Sequence, residues 1–222
     1  MFSESVRFER LAIGAGIVYG LGQLAFVILF AMTIVPHLPA INAPVDEHVA
    51  FYQEHLDTLR VVNYVGLWTI PFFLIFLGGI FVMLRRSEGG IGVLTAVGVG
   101  SAAALAMTWA SGIAVAHAGQ TAVAQGLEGA SVWAMDSTAQ LALGLSGFPR
   151  AVLIGALSLA LRAAGQMSRT TFVVGLLIVA LSLLGTADFV AVAMYVPAAL
   201  ASLLGGVWLA GIAAAQMRRS TA

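Results

Sequence analysis

Long stretches without a charged residue dominate this sequence and restrict the folds that it can adopt. Residues 11–35, 61–84 and 91–116 each run for 24 to 26 positions with no Asp, Glu, Lys or Arg. An α-helix rises 1.5 Å per residue, so about 20 apolar residues cross a hydrocarbon core of about 30 Å. The sequence therefore predicts several membrane-spanning helices.

The overall composition excludes a soluble fold. Of the 222 residues, 60% are hydrophobic and 9% are charged, whereas soluble domains are about half apolar and a quarter charged. Ten acidic and ten basic side chains are too few to cover so large an apolar core with polar surface. The net charge is zero, so no nucleic-acid partner is expected.

Residue types that are missing exclude several kinds of chemistry. All ten basic residues are Arg and none is Lys, which excludes a lysine Schiff base and with it an ordinary retinal pigment. There is no Cys, which excludes disulfides and Cys-ligated zinc or iron–sulfur sites. The sequence also has no phosphate-binding loop, HExxH or GxSxG motif. No cofactor is predicted, although a metal or a bound lipid or quinone stays open.

The apolar segments predict an all-α fold, a polytopic transmembrane bundle of six helices that forms one domain over residues 1–222. The first segment is longer than the core of about 7 to 15 residues in a cleaved signal, so we expect it to be retained. Pro71 predicts a kink in the second helix, and the segment around Pro149 predicts one long kinked fourth helix. The predicted helices cover residues 11–35, 61–84, 91–116, 131–161, 171–190 and 196–217.

The positions of the arginines predict a multi-pass protein of the bacterial plasma membrane with both termini in the cytoplasm. Loops rich in Arg face the cytoplasm. With the N-terminus inside, Arg60 lies outside, Arg150 lies within the membrane and the other eight arginines lie on the inner side. Those eight are Arg7, Arg10, Arg85, Arg86, Arg162, Arg169, Arg218 and Arg219.

Arg150 is the first candidate for a functional residue, because an ionisable side chain inside a membrane usually has a function. Helical geometry places it about 18 Å from the inner edge, and it places Asp188 at a similar depth on the next helix. We therefore expect an Arg150–Asp188 ion pair, with Asn63 or Gln140 completing the hydrogen bonds. Two interpretations stay open: a structural pair, or a binding site for an anionic or carbonyl group.

The outer loop, residues 36–60, predicts a short amphipathic helix after Pro44 on the outer membrane surface. At 100° per residue, one side of this helix carries His48, Tyr52, His55 and Leu59. The other side carries Asp46, Glu54 and Asp57. A helix of this kind lies among the lipid headgroups, with Tyr and His at the interface.

The histidines of the outer face are weak candidates for a metal site. His48 and His55 are about 10.5 Å apart along a helix, which is too far for one ion to bridge easily. A site would therefore need His37 or His117, together with Glu54 or Glu128. No catalytic residue is assigned.

Glycines in the first and last helices predict close helix packing. Gly16 and Gly20 form a small-xxx-small pattern in the first helix, and Gly205 and Gly206 lie in the last. Such patterns let two backbones approach closely. We expect internal packing here rather than a dimer interface.

Three stretches of the chain carry a family resemblance. They are residues 49–60 (VAFYQEHLDTLR), the Arg85-Arg86 turn with Gly89 and Gly90, and residues 141–161 (LALGLSGFPRAVLIGALSLAL). In these stretches the chain resembles an uncharacterised actinobacterial family of six-helix integral membrane proteins, a domain of unknown function. The resemblance covers most of the chain and implies a six-helix topology, without an activity that could be transferred.

These observations favour a non-enzymatic membrane protein, either a small binding protein or an accessory subunit of a larger membrane complex. Membrane lipids surround it, and a homo-oligomer stays open. One alternative is a carrier for a small amphipathic or anionic molecule, with kinks at Pro71 and Pro149 around Arg150. Another is an outer-leaflet, metal-dependent enzyme that uses the histidines with nearby acids.

Overall fold

The computed structural model describes residues 4–39, 43–89, 91–127, 129–189 and 195–219. Within these ranges the regular structure is entirely helical, which confirms the predicted all-α class. Two short 3-10 turns, Val35–His37 and Thr186–Phe189, follow the first and sixth α-helices. The α-helices are α1 (Glu4–Thr33), α2 (Val45–Glu88), α3 (Val93–Ala124), α4 (Gly129–Leu145), α5 (Gly147–Ala163), α6 (Arg169–Gly185) and α7 (Tyr195–Arg219).

Five helical segments are long and apolar enough to cross a membrane. They are Arg7–His37, Val45–Glu88, Val93–Ala124, Gly129–Ala163 and Val196–Arg219. The sixth segment, α6, is apolar but has only 17 residues, slightly fewer than the 20 or so that a spanning helix needs. This architecture is compatible with a multi-pass integral membrane protein, and the side on which each terminus lies stays a prediction.

The helix expected after Pro44 does begin at Val45, but it does not stop before the second membrane segment. Instead α2 continues for 44 residues to Glu88. The first Gly or Pro after Pro44 is Gly66, so no helix-breaking residue separates the two predicted helices. The outer segment and the second membrane helix therefore form one element.

The fourth membrane segment is interrupted at a single residue, Ser146, which separates α4 from α5. Pro149 explains the position of the break, because its ring clashes with the carbonyl group four residues earlier, at Leu145. The helical course still continues across Ser146. Its N–H donates to the Ala142 oxygen, and its own carbonyl accepts from the Arg150 N–H, both at 3.2 Å. The segment is thus one kinked span, as the sequence predicted.

The turn between α2 and α3 is held by the Glu88 carboxylate. Gly89, at the end of α2, has a positive φ of 70°, a conformation that glycine adopts without strain. Glu88 Oε2 then accepts from both the N–H and the hydroxyl of Thr95, each at 2.6 Å. The first turn of α3 therefore receives the acceptor that its free N–H groups need.

Two apolar clusters hold the bundle together. The larger one joins all helices except α4 and includes the fully enclosed side chains Phe76, Leu157 and Ile178. The smaller one surrounds Tyr52 and Val132 and ties the first turns of α2 to α3 and α4. This second cluster positions the polar site described next.

Candidate functional site

Two pairs of polar residues meet where the beginning of α2 packs against α4. His48 and Tyr52 lie one helical turn apart on α2, and Asp136 and Gln140 lie one turn apart on α4. This spacing puts both members of each pair on one helix face. His48 Nδ1 lies 3.1 Å from Asp136 Oδ2, and the Tyr52 hydroxyl donates to Asp136 Oδ1 at 2.6 Å. Gln140 Nε2 donates to Oδ2 at 2.8 Å.

The Asp136 carboxylate determines how the His48 ring is oriented. An ionised carboxylate only accepts hydrogen bonds, so His48 Nδ1 carries the hydrogen and donates it. In the neutral ring Nε2 is then an acceptor. His48 is 0% exposed, and its Nε2 has no hydrogen-bond partner within the described ranges.

A histidine held by a carboxylate through Nδ1, with Nε2 free, is the arrangement of many general bases and metal ligands. His48 differs from them in one respect, because its side chain is enclosed and a substrate cannot reach it without a rearrangement. Its surroundings are those of a buried hydrogen-bonded cluster that joins α2 to α4. We call His48, Tyr52, Asp136 and Gln140 the Asp136 cluster.

The other predicted metal candidates are divided between separate places. The fold brings the rings of His37 and His55 to 4.6 Å between centroids, because the 3-10 turn after α1 lies against α2. Glu54 and His117 are exposed, and Glu128 lies outside the described residues. Among the described residues there is no group of three or more His, Asp or Glu side chains that could hold a metal ion. The predicted metal site stays a prediction.

Arg150 is buried in the middle of the bundle, with 7% of its surface exposed. Its Nη2 donates to Ser146 Oγ at 3.0 Å, one turn earlier along the kinked span. Gly205 of α7 lies beside its aliphatic stem, and a Cβ there would be in ordinary van der Waals contact with Arg150 Cδ, at 3.5 Å. Tyr19 of α1 is close enough to interact electrostatically with the guanidinium.

The predicted partners of Arg150 have different positions. The side chain of Asp188 lies outside the described part of the structure, so the ion pair stays a prediction. Gln140 donates to Asp136, and Asn63 Nδ2 is buried with no hydrogen-bond partner among the described residues. The expected adjacency of the two helices is observed, because Gly147 of α5 packs against Ser182 of α6.

Replacing Asp188 with Asn tests the two interpretations of Arg150. If the pair is structural, we expect several-fold less folded protein, because removing one partner of a buried ion pair costs about 3–5 kcal/mol. The measurement is the yield of monodisperse protein in detergent, with the exposed Asp46→Asn as a control. An unchanged yield would contradict the structural pair and support a site for an anionic ligand.

Sequence reasoning missed the Asp136 cluster, although the sequence carries a signal for it. Two i, i+4 pairs of hydrogen-bonding residues, His48 with Tyr52 and Asp136 with Gln140, stand on helix faces that are otherwise apolar. A polar pair on such a face needs partners from another helix. Matching the two pairs would have suggested the contact between α2 and α4.

Comparisons of this chain with models of known protein families, with curated proteins and with solved structures find no match.

Proposed function

We propose that this chain is a non-enzymatic integral membrane protein that acts as an accessory subunit, packing against a larger protein in the membrane. The observation that carries the proposal is how little room is left between α1, α2 and α3. Tyr19, Phe73 and Trp109 line a space between α1, α2 and α3 that measures about 10 Å³. A space of that size holds one water molecule at most. A substrate of ordinary size does not fit there.

Polar groups between the helices support the same proposal, because they bond to one another. Gln23 Nε2 donates to Thr69 Oγ1 at 2.9 Å, which joins α1 to α2. Trp208 Nε1 donates to the Thr171 carbonyl at 3.0 Å, which joins α7 to α6. Buried polar groups that are satisfied in this way specify packing.

The short helix α6 supports packing against a partner. Its 17 residues span about 25 Å, less than the hydrocarbon core of about 30 Å. Such a mismatch is relieved by bilayer thinning or by association with other helices. The outward side of α6 is apolar and carries Val173, Val174, Leu176, Leu177, Leu183 and Leu184 as exposed residues.

The proposal is tested by purifying the protein from native membranes in a mild detergent. We expect one larger membrane protein to copurify at a fixed stoichiometry. A bulky residue on the outward side of α6, Leu177→Trp, should reduce copurification about tenfold. Leu74→Trp on the exposed side of α2 is the matched control, since the two leucines are 54% and 53% exposed. A chain that purifies alone, or equal losses in both variants, would contradict the proposal.

A second candidate function, a carrier for a small anionic molecule, is favoured by one observation. Arg150 is a buried cation beside the kink at Pro149 and donates to a hydroxyl group of its own span. A guanidinium in that position can bind a carboxylate or phosphate oxygen. The Asp188→Asn experiment distinguishes this function from a structural role.

A further inference from the structure

A cleft opens at the end of the bundle where α1, α2 and α7 meet the connection between α5 and α6. Its volume is about 240 Å³, several times the roughly 30 Å³ that one water occupies in the liquid. It is lined by Ile13, Val82, Met83, Arg86, Gln166, Gln216 and Arg219. The positive-inside pattern predicts that this Arg-rich end faces the cytoplasm. We call it the Arg86–Arg219 cleft.

One rim of the cleft consists of hydrogen-bond donors that are already oriented. The two terminal nitrogens of Arg86 donate to the two carboxylate oxygens of Glu9, at 2.5 and 2.7 Å. A guanidinium has five N–H groups, so three remain after this bidentate bond has fixed its plane. Gln216 Nε2 donates to Gln166 Oε1 at 3.1 Å, which leaves both N–H groups of Gln166 for another acceptor.

The charge of the cleft matches that of a monoanion. Glu9 neutralises Arg86, whereas Arg219 is exposed and makes no hydrogen bond or ion pair within the described ranges. The net charge of these three side chains is +1. A phosphodiester carries one negative charge, and its oxygens accept bonds from guanidinium and amide N–H groups.

The opposite side of the cleft is apolar. Val82 is partly exposed, and together with the more buried Ile13 and Met83 it forms a hydrocarbon wall beside the donor rim. A free phosphate ion gains nothing from such a wall. A phospholipid does, because its phosphate can bind the rim while its glycerol and first acyl carbons cover the wall.

We propose that the Arg86–Arg219 cleft binds the phosphate headgroup of an anionic phospholipid. The proposal is independent of the accessory-subunit function, because it concerns a cleft between α1, α2 and α7 rather than the outward side of α6. Basic pockets between transmembrane helices on the cytoplasmic side bind lipid headgroups in this way. Arg219 attracts the phosphate, and Arg86 and the two glutamines orient it.

The experiment uses the full-length protein, delipidated in detergent, with phosphatidylglycerol or phosphatidylcholine added. Native mass spectrometry counts the lipids bound per chain. We expect wild-type protein to bind phosphatidylglycerol at least ten times more tightly than phosphatidylcholine. Arg219→Gln should weaken the binding of phosphatidylglycerol about tenfold. Arg169→Gln removes the same charge from an exposed position at the same end, outside the cleft, and should change binding less than twofold. Thermal melts check that both variants fold.

Three results would overturn the proposal. If Arg219→Gln and Arg169→Gln weaken the binding of phosphatidylglycerol equally, the lipid is attracted to basic residues in general and not to a site. Equal binding of phosphatidylcholine would show that the cleft does not distinguish the charge of the headgroup. Displacement of the bound lipid by millimolar inorganic phosphate would make the ligand a free phosphate ion instead of a lipid.

Discussion

Replacing Asp136 with Ala is expected to lower the free energy of unfolding by about 3–5 kcal/mol, because two buried donors and one half-buried donor then lose their acceptor at once. His48 Nδ1, the Tyr52 hydroxyl and Gln140 Nε2 all bond to this carboxylate, at 3.1, 2.6 and 2.8 Å. Side-chain exposures of 0% for His48 and 9% for Asp136 leave little access for water as a substitute. For a chain of this size the loss corresponds to about 10 °C in melting temperature.

Denaturation of the purified protein in detergent, followed by circular dichroism, measures this loss. Thr138→Ala is the control on the same helix, because the exposed Thr138 hydroxyl bonds only to the Ala134 carbonyl of its own helix. Its effect should stay below about 0.5 kcal/mol.

A double-mutant cycle with Tyr52→Phe shows whether the loss comes from the cluster itself. The interaction energy should reach about 1–2 kcal/mol, since Tyr52 and Asp136 are direct partners. Additive effects of the two substitutions would mean that the carboxylate does not stabilise the contact between α2 and α4. The proposal that the Asp136 cluster holds α2 against α4 would then be wrong.

The Asp136 cluster helps to hold the first turns of α2 against the rest of the bundle. The first turns of α2, from Val45 to about Arg60, extend beyond the apolar stretch that predicts the membrane segment. By themselves they would have only local helix stability, which is small in water. The bonds to Asp136 and the apolar cluster around Tyr52 fix them against α3 and α4. This end of the bundle is therefore organised by α2 rather than by a loop.

Local patterns in the sequence were sufficient to predict the helices. The absence of charge marks the membrane segments, and Pro149 marks the kink near Ser146. The stripe on α2 was expected to place Tyr and His among the lipid headgroups, and this was wrong for His48 and Tyr52, which are enclosed between the helices. Each of these predictions depends only on residues that are close together in the chain.

Contacts between helices could not be predicted in the same way. Gln140 was expected near Arg150, yet it bonds to Asp136 on its own helix. His37 contacts His55 because the 3-10 turn after α1 returns the chain toward α2. Both outcomes depend on which helices are neighbours, and that is decided by packing across the whole bundle. Helix length places Arg150 and Asp188 at a similar depth, but depth alone does not determine which side chain faces Arg150.

The backbones of α1 and α7 are in close contact. A Cβ atom at Gly20 would overlap the Gly206 carbonyl oxygen and lie 2.6 Å from the Ala210 Cβ. The other glycine of the predicted pattern, Gly16, faces Phe76 of α2. Both glycines thus face the inside of the bundle, in agreement with internal packing. Gln23, one turn after Gly20, reaches Thr69 from this position.

Replacing Gly20 with Val is expected to destabilise the protein by about 3 kcal/mol or more, at the upper end of overpacking effects. The obstacle is a backbone carbonyl, which cannot rotate away as a side chain can, so α1 and α7 must separate and Gln23 moves away from Thr69. Gly211→Val on α7 is the matched control, because a Cβ there meets nothing within 4 Å. The melting temperature in detergent should fall by about 6–12 °C for Gly20→Val and stay nearly constant for the control. Equal melting temperatures would mean that the α1–α7 contact is looser than the structure indicates.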